Sequence, residues 1–492
     1  MHHIKQVKFI FATIVALLAV LATSTAGLVY AQGPLITVSS TDPYATCSND
    51  SQTGTNYVDA EVEPWVAVNP TTTSNIIGVW QQDRWSTGGA HGLVAGVSTN
   101  GGSSWSQVTL PFDACAPGTP ASLAYQRASD PWVSFGPDGT AYAVSISFND
   151  TNNNNAVGAA TSTNGGITWK NAQTIITDNE PNFQFFNDKE SVTADPVTAG
   201  VAYVVWDRLQ APTGNPDASL HTRAFKGPAM FSKTTNGGVS WSTPKQIVSF
   251  TASNQQTIAN QIVVDPRTGT LYDFFDLIKP PQSPSPFNVA FIKSTDGGNT
   301  WTQPQIIASL QTVFVTDPNT GQAIRTGDII PEPAIDPASG QLYVVWQDSR
   351  FNGGHFDEVA LSTSTNGGAT WSAPIQVNTN TPSTRPGFTP SIFVNSAGVV
   401  GVSYYDFRSL TTQTTTLPTD YWFTTSTNGG VSFGNEAHLA GSFDMLTAPF
   451  ASGYFVGDYE SVGTSGTLFQ PFFVQANSGN ISNRTDVFTT TV

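Results

Sequence analysis

Short apolar strands alternate with turn residues along nearly the whole chain, and no stretch after residue 31 keeps the apolar spacing of a helix. One pattern recurs seven times. It consists of a polar residue or Pro, an apolar strand, a tight turn, and a strand rich in Val, Tyr and Trp. Each copy predicts a pair of antiparallel strands. The copies span 63–84, 130–150, 188–208, 260–276, 332–350, 389–408 and 458–475.

A second pattern separates these pairs and reads Ser/Thr-Thr-Asn/Asp-Gly-Gly-x-Ser/Thr followed by an aromatic residue. Asn or Asp before Gly-Gly suits a tight turn with positive φ, and its side chain can accept hydrogen bonds from nearby backbone N–H groups. The aromatic side chain can be buried beside the next strand. Each copy therefore predicts one β-hairpin. The six copies begin at Ser98, Ser162, Thr234, Ser294, Ser364 and Ser426 and end at Trp105, Trp169, Trp241, Trp301, Trp371 and Phe433.

The hairpin phrase resembles the Asp-box, or bacterial neuraminidase repeat, Ser-x-Asp-x-Gly-x-Thr-Trp. By this resemblance the chain is similar to the sialidase-like Asp-box β-propeller superfamily. The six copies lie 60 to 72 residues apart and cover nearly the whole chain. The resemblance implies an all-β propeller built from four-stranded blades. It leaves the activity open, because such propellers include sialidases, other glycosidases and proteins that are not enzymes.

Seven strand pairs and six hairpins are consistent with one closed ring. We expect each pair to supply the inner strands of a blade and each hairpin to join the outer strands. The last blade then has a third strand near 485–491, and residues 35–39 supply its fourth strand, which leaves no open edge. Seven blades are favoured, and six blades, the number in sialidase catalytic domains, are the alternative. Residues 32–492 are predicted to form this single domain.

Residues 1–31 have the features of a secretory signal peptide. Lys5 and Lys8 precede an apolar run over 9–22, and the segment ends at Ala31. An uncleaved anchor is the alternative, since no charged residue lies between 9 and 31. We expect a secreted, extracellular protein without membrane association after cleavage. In an exported chain the only two cysteines, Cys47 and Cys115, are expected to form a disulfide.

Composition narrows the range of partners. Without Lys5 and Lys8 the chain keeps 17 basic residues against 35 acidic ones, a formal charge of −18. This balance argues against nucleic acid as a partner. No zinc, phosphate-binding or serine-hydrolase motif is present in the sequence. We expect a monomer that acts on extracellular glycans or glycoconjugates and needs no cofactor, and calcium held by carboxylates stays open.

Charged residues make up only 11% of the chain, and they collect where the predicted strand pairs begin and end. Long insertions connect several of the pairs, while the turns within the pairs are short, so loops and charges share one face. We expect these charges to ring the mouth of a central channel, although repeated Asp-Arg pairs are also what salt bridges between repeated units produce. The residues concerned are Glu63, Asp130, 188–190, Glu332 and 458–460 at strand starts, and Arg84, Arg208, Arg350, Asp406 and Arg408 at strand ends.

The resemblance to sialidases implies roles for several of these residues. A sialidase binds the substrate carboxylate with three arginines, uses a tyrosine nucleophile activated by a glutamate, and uses an aspartate as acid and base. The arginine clamp would come from Arg84, Arg208, Arg350 and Arg408, with Glu63 and Asp406 beside them. The catalytic candidates are Tyr405 or Tyr459 as nucleophile, Glu460, Asp130 and Glu332.

One departure from the sialidase pattern keeps other functions open. The Phe/Tyr-Arg-Ile-Pro motif of sialidases is absent, and Glu63-Pro64-Trp65 stands where such a strand begins. A pair of carboxylates drawn from Glu63, Asp130, Glu190, Glu332 and Glu460 is therefore a second enzymatic hypothesis. The sequence favours a secreted sialidase-like exo-glycosidase that removes terminal, acidic sugars. A non-catalytic glycan-binding or adhesion propeller is the alternative.

Overall fold

The computed structural model describes residues 32–48, 51–152, 154–179, 185–210, 226–251, 253–379, 385–412 and 415–492. Within these ranges the chain is all-β, as predicted, with 32 strands and short 3₁₀ helices at Arg350–Asn352 and Met445–Thr447. The predicted signal segment, 1–31, lies outside the described residues. In the same ranges we find no helix with the length and apolar character required to span a bilayer.

In the described part of the chain, seven four-stranded antiparallel units follow one another, and we number them 1 to 7. The seven strand pairs predicted from the sequence are the first and second strands of these units. Unit 1 contains β3 (Val62–Val68), β4 (Ile76–Trp85), β5 (Ala90–Ser98) and β6 (Ser106–Thr109). Unit 2 contains β7 (Arg127–Phe135), β8 (Ala141–Phe148), β9 (Asn155–Ser162) and β10 (Lys170–Asp178). Unit 3 contains β11 (Phe185–Ala194), β12 (Ala202–Gln210), β14 (Ala229–Thr234) and β15 (Lys245–Gln246). Unit 4 contains β16 (Gln255–Asp265), β17 (Thr270–Ile278), β18 (Asn288–Ser294) and β19 (Gln305–Ser309); unit 5 contains β21 (Glu332–Ile335), β22 (Leu342–Asp348), β23 (Glu358–Ser364) and β24 (Ile375–Gln376). Unit 6 contains β25 (Gly387–Val394), β26 (Val400–Asp406), β27 (Pro418–Ser426) and β28 (Ala437–Asp444); unit 7 contains β30 (Ser461–Ser465), β31 (Leu468–Ala476), β32 (Thr485–Thr489) and β1 (Ile36–Thr37). The remaining strands are β2 (Asn56–Tyr57), β13 (Lys226–Gly227), β20 (Ile324–Arg325) and β29 (Tyr454–Phe455).

The two ends of the described chain meet in unit 7. Ile36 of β1 pairs with Thr489 of β32, in antiparallel orientation, so the N-terminal strand is the outermost strand of that unit. A disulfide between Cys47 and Cys115 ties the following segment to the connection between units 1 and 2, with the Cα atoms 5.8 Å apart. The predicted disulfide is therefore confirmed.

The first strands of the units pack side by side in sequence order. β3 contacts β7, and the contacts continue through β11, β16, β21, β25 and β30, which contacts β3 again. Apolar side chains fill the space between neighbouring units; one such cluster contains Trp132 and Val144 of unit 2 and Val204 and Trp206 of unit 3. Burial of these side chains is the main stabilising contribution between units.

The six Gly-Gly turns share one hydrogen-bonding pattern, seen in unit 5 at 364–371. The hydroxyl of Ser364 accepts from the N–H of Gly368 at 3.0 Å, and the side-chain oxygen of Asn366 accepts from the N–H of Thr370 at 2.9 Å. Gly367 and Gly368 have φ of 66° and 80°, which explains why glycine occupies both positions. The same bonds recur in the turns that begin at Ser98, Ser162, Thr234, Ser294 and Ser426.

We predict that Ser364→Ala lowers the free energy of unfolding by about 1 to 3 kcal/mol, because it leaves the buried N–H of Gly368 without its acceptor. Urea unfolding of the two proteins measures the difference. Thr365→Ala, at an exposed position of the same turn, is the control and is expected to change the free energy by less than about 0.5 kcal/mol. Equal loss in both variants would show that the hydroxyl of Ser364 is not the anchor.

Candidate functional site

A repeated backbone irregularity carries charged residues to one end of the first strands. Glu63, Asp130 and Lys189 each have a left-handed φ, of 54°, 50° and 49°, and the strand register shifts at each of them. Ala259 and Thr389 have the same conformation in units 4 and 6. Such bulges re-aim side chains, and non-glycine residues with positive φ are uncommon. The same bulge therefore recurs in units 1, 2, 3, 4 and 6, but the residue at the bulge differs from unit to unit.

The ammonium group of Lys189 lies between three carboxylates from different parts of the chain. Its Nζ is 2.8 Å from Oδ1 of Asp130, 2.8 Å from Oδ2 of Asp458 and 3.3 Å from Oε1 of Glu63. All three N–H donors of the lysine thus have a carboxylate partner. We call Glu63, Asp130, Lys189, Asp458 and the adjoining Arg325 the ionic cluster.

Arg325 completes the ionic cluster from the long insertion between units 4 and 5. Its guanidinium binds Asp458 through two parallel hydrogen bonds, Nε to Oδ1 at 2.8 Å and Nη2 to Oδ2 at 2.5 Å. Arg84 lies beside it, since both guanidinium groups pack over the ring of Phe455, at 4.8 Å for Arg84 and 4.4 Å for Arg325. Arg84 also donates to the side-chain oxygen of Gln81 at 2.7 Å.

Two insertions cover this end of the first strands. β20 pairs in parallel with β29, so the insertion before unit 5 joins the one before unit 7. The N–H of Glu63 donates to the carbonyl of Val456 at 3.2 Å, and Gly327 lies so close to Asp458 that an added Cβ would meet the carbonyl oxygen at 1.8 Å. The side chains of Glu63 and Lys189 are only 1% and 8% exposed as a result.

Within the ionic cluster, the pKa values of Glu63 and Asp130 are shifted in opposite directions. Burial raises the pKa of Glu63 to about 7, against the opposing charge of Lys189. Burial acts in the same direction on Asp130, but the charge of Lys189 and hydrogen bonds from Lys189 and Ser129 outweigh it and hold the pKa below its ordinary value. Burial likewise opposes ionisation of Asp458, whose pKa Arg325 and Lys189 nevertheless hold well below the usual range.

Tyr459, one predicted nucleophile, contacts both the ionic cluster and two indole rings. Nζ of Lys189 lies 5.3 Å from the centre of the Tyr459 ring. On the other side the ring contacts Trp132 and Trp65, with centroid distances of 5.3 and 6.2 Å. Burial and the nearby carboxylates, Glu63 first among them, raise the pKa of Tyr459 well above its ordinary value. The phenol is therefore protonated and enclosed.

Tyr405, the other predicted nucleophile, forms a pair with Glu460, which the sequence had placed beside Tyr459. The hydroxyl of Tyr405 donates to Oε1 of Glu460 at 2.7 Å and accepts from the N–H of Val474 at 3.1 Å. Both side chains are fully buried, and the ring of Tyr405 packs against Phe388 and Tyr421. Burial first, and then the charge of Glu460, raise the pKa of Tyr405 well above its usual range. The pair lies within the apolar packing between units 6 and 7.

The structure does not bring the four predicted arginines together as a clamp. Arg208 pairs with Asp178 and lies 3.9 Å over the ring of Phe185. Arg350 binds Asp348 through two hydrogen bonds, each of 2.7 Å. Only Arg84 lies beside the ionic cluster.

Arg408 and Asp406 form a pair of their own in unit 6. Arg408 binds Asp406 at 2.5 Å and Glu436 at 2.7 Å, and its guanidinium stacks 3.6 Å over Trp422. Burial raises the pKa of Asp406 to about 6 although Arg408 opposes the shift. Arg408 therefore forms these ion pairs with carboxylates of its own unit.

Two further carboxylates named from the sequence are buried without a cation. Burial raises the pKa of Glu332 well above its ordinary value, against hydrogen bonds from Ser391 and Ile392. Burial has the same effect on Glu190, and the charge of Asp130 adds to it. Burial therefore favours the protonated form of both groups in the folded chain.

Sequence reasoning missed Arg325 and did not assign Lys189 its central place. Arg325 lies in an insertion outside the repeated pattern, so no periodic signal marks it. Lys189 was predicted to lie at the mouth of the channel. Only the structure shows that the bulge lets its side chain reach three carboxylates. Within the described ranges, no group of three or more His, Cys, Asp or Glu side chains has a geometry suited to a metal ion.

No protein-family model matches the chain, and no curated protein matches it. Among solved structures the chain is similar to a Hadza microbial sialidase, with 16% identity, a TM-score of 0.48, and coverage of 86% of this chain and 74% of the other. It is also similar to the alpha-L-arabinanase of Penicillium chrysogenum complexed with arabinobiose, with 13% identity, a TM-score of 0.47, and coverage of 76% and 94%. An unknown-function protein from Dyadobacter fermentans matches at 11% identity and a TM-score of 0.44, with coverage of 89% and 96%. At these identities and TM-scores the similarities establish neither a family nor an activity.

We predict that Lys189→Met lowers the free energy of unfolding at pH 7 by about 3 to 5 kcal/mol, because it leaves buried carboxylates without their shared cation. Protonation neutralises those carboxylates, so the deficit is expected to shrink as the pH falls towards 4. Urea unfolding at several pH values measures both effects. Lys170→Met, at an exposed lysine, is the control. A Lys189→Met protein as stable as the parent at pH 7 would show that water already solvates the cluster.

A second prediction concerns the pH dependence of stability. The pKa of Glu63 in the folded chain, about 7, lies above the ordinary 4.5, so its contribution to stability is complete below pH 4.5 and is lost as the pH rises towards 7. Glu63→Gln stays neutral at every pH and removes this loss. We expect the stability of the variant to fall less than that of the parent between pH 5 and pH 7.5. Thermal unfolding across this range tests the prediction, and identical slopes would contradict it.

Proposed function

We propose that the chain is an exported, seven-bladed β-propeller that binds extracellular glycans and does not cleave them. Three observations support the architecture: each unit has four antiparallel strands, the first strands contact one another in a cyclic order, and β1 supplies the fourth strand of unit 7. In this arrangement the units are the blades, and the N-terminal strand closes the ring.

Export is supported by the signal-like segment at 1–31 and by the disulfide between Cys47 and Cys115, since disulfides persist in oxidising compartments. Glycans as partners are supported by the resemblance of the six Gly-Gly turns to Asp-boxes. The strongly acidic balance of the chain argues against nucleic acid. We propose that the exported protein is a monomer.

The ionic cluster is covered by other parts of the chain, and this observation is the main support for a non-catalytic function. A glycosidase needs an acid and a nucleophile or base that touch the substrate. Here Lys189 and Arg325 occupy the carboxylates of the ionic cluster, and the insertions that meet through β20 and β29 lie over them. The Tyr405–Glu460 pair is enclosed by aromatic side chains. The groups that the sialidase resemblance would use are thus engaged inside the protein.

Hydrolysis of an acidic sugar is the second candidate function, and one observation favours it. Glu63 and Asp130 flank the same lysine, and their pKa values are shifted in opposite directions, which is the arrangement expected of a general acid and its ionised partner. Arg84 and Arg325 would supply positive charge for a substrate carboxylate. In this function the covering insertions would have to move away from the cluster.

A glycan array and a panel of fluorogenic glycosides, probed with the purified mature chain, distinguish the two functions. The panel includes sialosides, uronides and neutral glycosides, each with and without calcium. We expect glycan binding without release of the fluorophore. Release that disappears in both Glu63→Gln and Asp130→Asn would overturn the proposal in favour of hydrolysis. Absence of both binding and release would reject both functions.

A further inference from the structure

A cavity of about 490 Å³ runs along the first strands, on the side away from the ionic cluster. Its walls come from β3, β7, β11, β16, β21, β25 and β30, so every unit contributes to it. It also reaches the turns that join first and second strands, where Pro70, Pro196 and Gly466 are exposed. The cavity therefore opens on the face with the short turns, opposite the face predicted from the sequence.

Two indole rings form the inner end of this cavity. The rings of Trp65 and Trp132 stack with centroids 3.4 Å apart and an interplanar angle of 24°. The ring of Tyr459 contacts both indoles and also lies 5.3 Å from Nζ of Lys189, and Trp132 and Lys189 line one small space beside it. Trp65 keeps part of its surface exposed, whereas Val66, the next residue on the strand, is only 5% exposed. Trp65 and Ala67 are both partly exposed and both line the cavity.

The lining of the cavity carries no charged side chain among the described residues. A charged ligand would lose its hydration there without gaining an ionic partner. The walls are mainly apolar, with Val263, Ile335 and Phe393 among them, and Phe393 is 43% exposed. Polar side chains are spread between these residues. Gln261 lies near the inner end, and Thr73 and Thr464 lie nearer the opening. The cavity is thus suited to a neutral ligand with one apolar face and a polar edge.

Its size and rigidity limit the ligand further. Cavities of about 300 to 1,000 Å³ accept small molecules, so this volume is suited to one or two sugar rings rather than a folded partner. The walls are strands tied across unit boundaries; the hydroxyl of Thr193, for example, donates to the carbonyl of Ile262 at 2.7 Å. A pre-formed site of this kind binds its ligand without the cost of ordering a loop.

We propose that this cavity, which we call the axial cavity, binds one or two rings of a neutral saccharide. The apolar C–H face of a pyranose stacks on the exposed part of Trp65, while Gln261, Thr73 and Thr464 contact the hydroxyl groups at its edge. This inference rests on the proposed glycan-binding function and assigns it a site and a substrate class. The ionic cluster then takes no part in recognition.

Titration of the mature protein with neutral oligosaccharides, followed by tryptophan fluorescence and calorimetry, tests the proposal. The first probes are cello-, xylo- and malto-oligosaccharides of two to four units, with digalacturonic acid as a charged comparison. We expect saturable binding of at least one neutral probe, with a change in tryptophan emission, and at least tenfold weaker binding of the acid. A charged sugar that binds as tightly as any neutral one would overturn the inference.

Three variants locate the binding in the axial cavity. Ala67→Phe adds a large side chain at a partly exposed position of the cavity lining and is expected to weaken binding at least a hundredfold. Phe393→Ser removes an apolar wall and is expected to weaken it about tenfold, and Trp65→Phe is expected to reduce the change in emission. Val431→Ser, at a 74% exposed apolar position outside the cavity, is the matched control and is expected to bind as the parent does. Thermal unfolding checks that each variant is folded.

The outcomes separate this inference from the proposed function. If the parent binds glycans on the array and folded Ala67→Phe and Phe393→Ser bind them equally well, the axial cavity is not the site but the protein remains a glycan binder. If the parent binds no glycan, both proposals fail. If the cavity binds a neutral aromatic dye and no saccharide displaces that dye, the cavity binds ligands but the saccharide assignment is wrong. If Ala67→Phe does not fold, Phe393→Ser and Trp65→Phe still decide the question.

Discussion

The burial of one lysine among three carboxylates is the interaction on which this structure depends. Lys189 of unit 3 holds Glu63 of unit 1, Asp130 of unit 2 and Asp458 at the entry to unit 7. Each of these charges would be costly to bury alone, since a buried charge is stable only when it is paired and hydrogen-bonded. Their mutual contact therefore ties together units that are distant in sequence, and Arg325 brings the covering insertion into the same network.

The same left-handed bulge recurs in several units with different residues on it. A left-handed bulge near the start of a first strand carries Glu63, Asp130 or Lys189 in units 1 to 3, but Ala259 in unit 4 and Thr389 in unit 6. The bulge itself is thus independent of charge, and the residue on it decides whether that unit joins the ionic cluster. The aromatic group of Tyr459, Trp132 and Trp65 lies where the charged end of the first strands meets the uncharged axial cavity. The two ends have opposite chemistry: one is saturated with internal ion pairs and covered, and the other is uncharged and open.

Particular residues show how far the sequence could predict the site. Glu63 and Asp130 were expected at a common mouth and do lie together, because they begin equivalent strands of neighbouring units. Tyr405 and Tyr459 were predicted as alternative nucleophiles, and Glu460 was placed beside Tyr459. In the structure it is Tyr405 that bonds Glu460, within the apolar packing. Arg208, Arg350 and Arg408 were expected to converge, yet each is bound to carboxylates elsewhere. The position of a residue along a repeat predicts the end of the strand at which it lies, but it does not predict which way the side chain turns there.

The sequence by itself determined the all-β character, the succession of strand pairs, the chemistry of the six hairpin turns and the disulfide. These features depend on residues close together in the chain, or on the presence of only two cysteines, and local patterns are sufficient to predict them. Only the tertiary structure decided which charges meet, which end of the first strands is covered, and where an open cavity remains. Those properties arise where unrepeated insertions cover one end of the first strands and where a change in the φ of one residue redirects a side chain. Neither leaves a periodic pattern in the sequence.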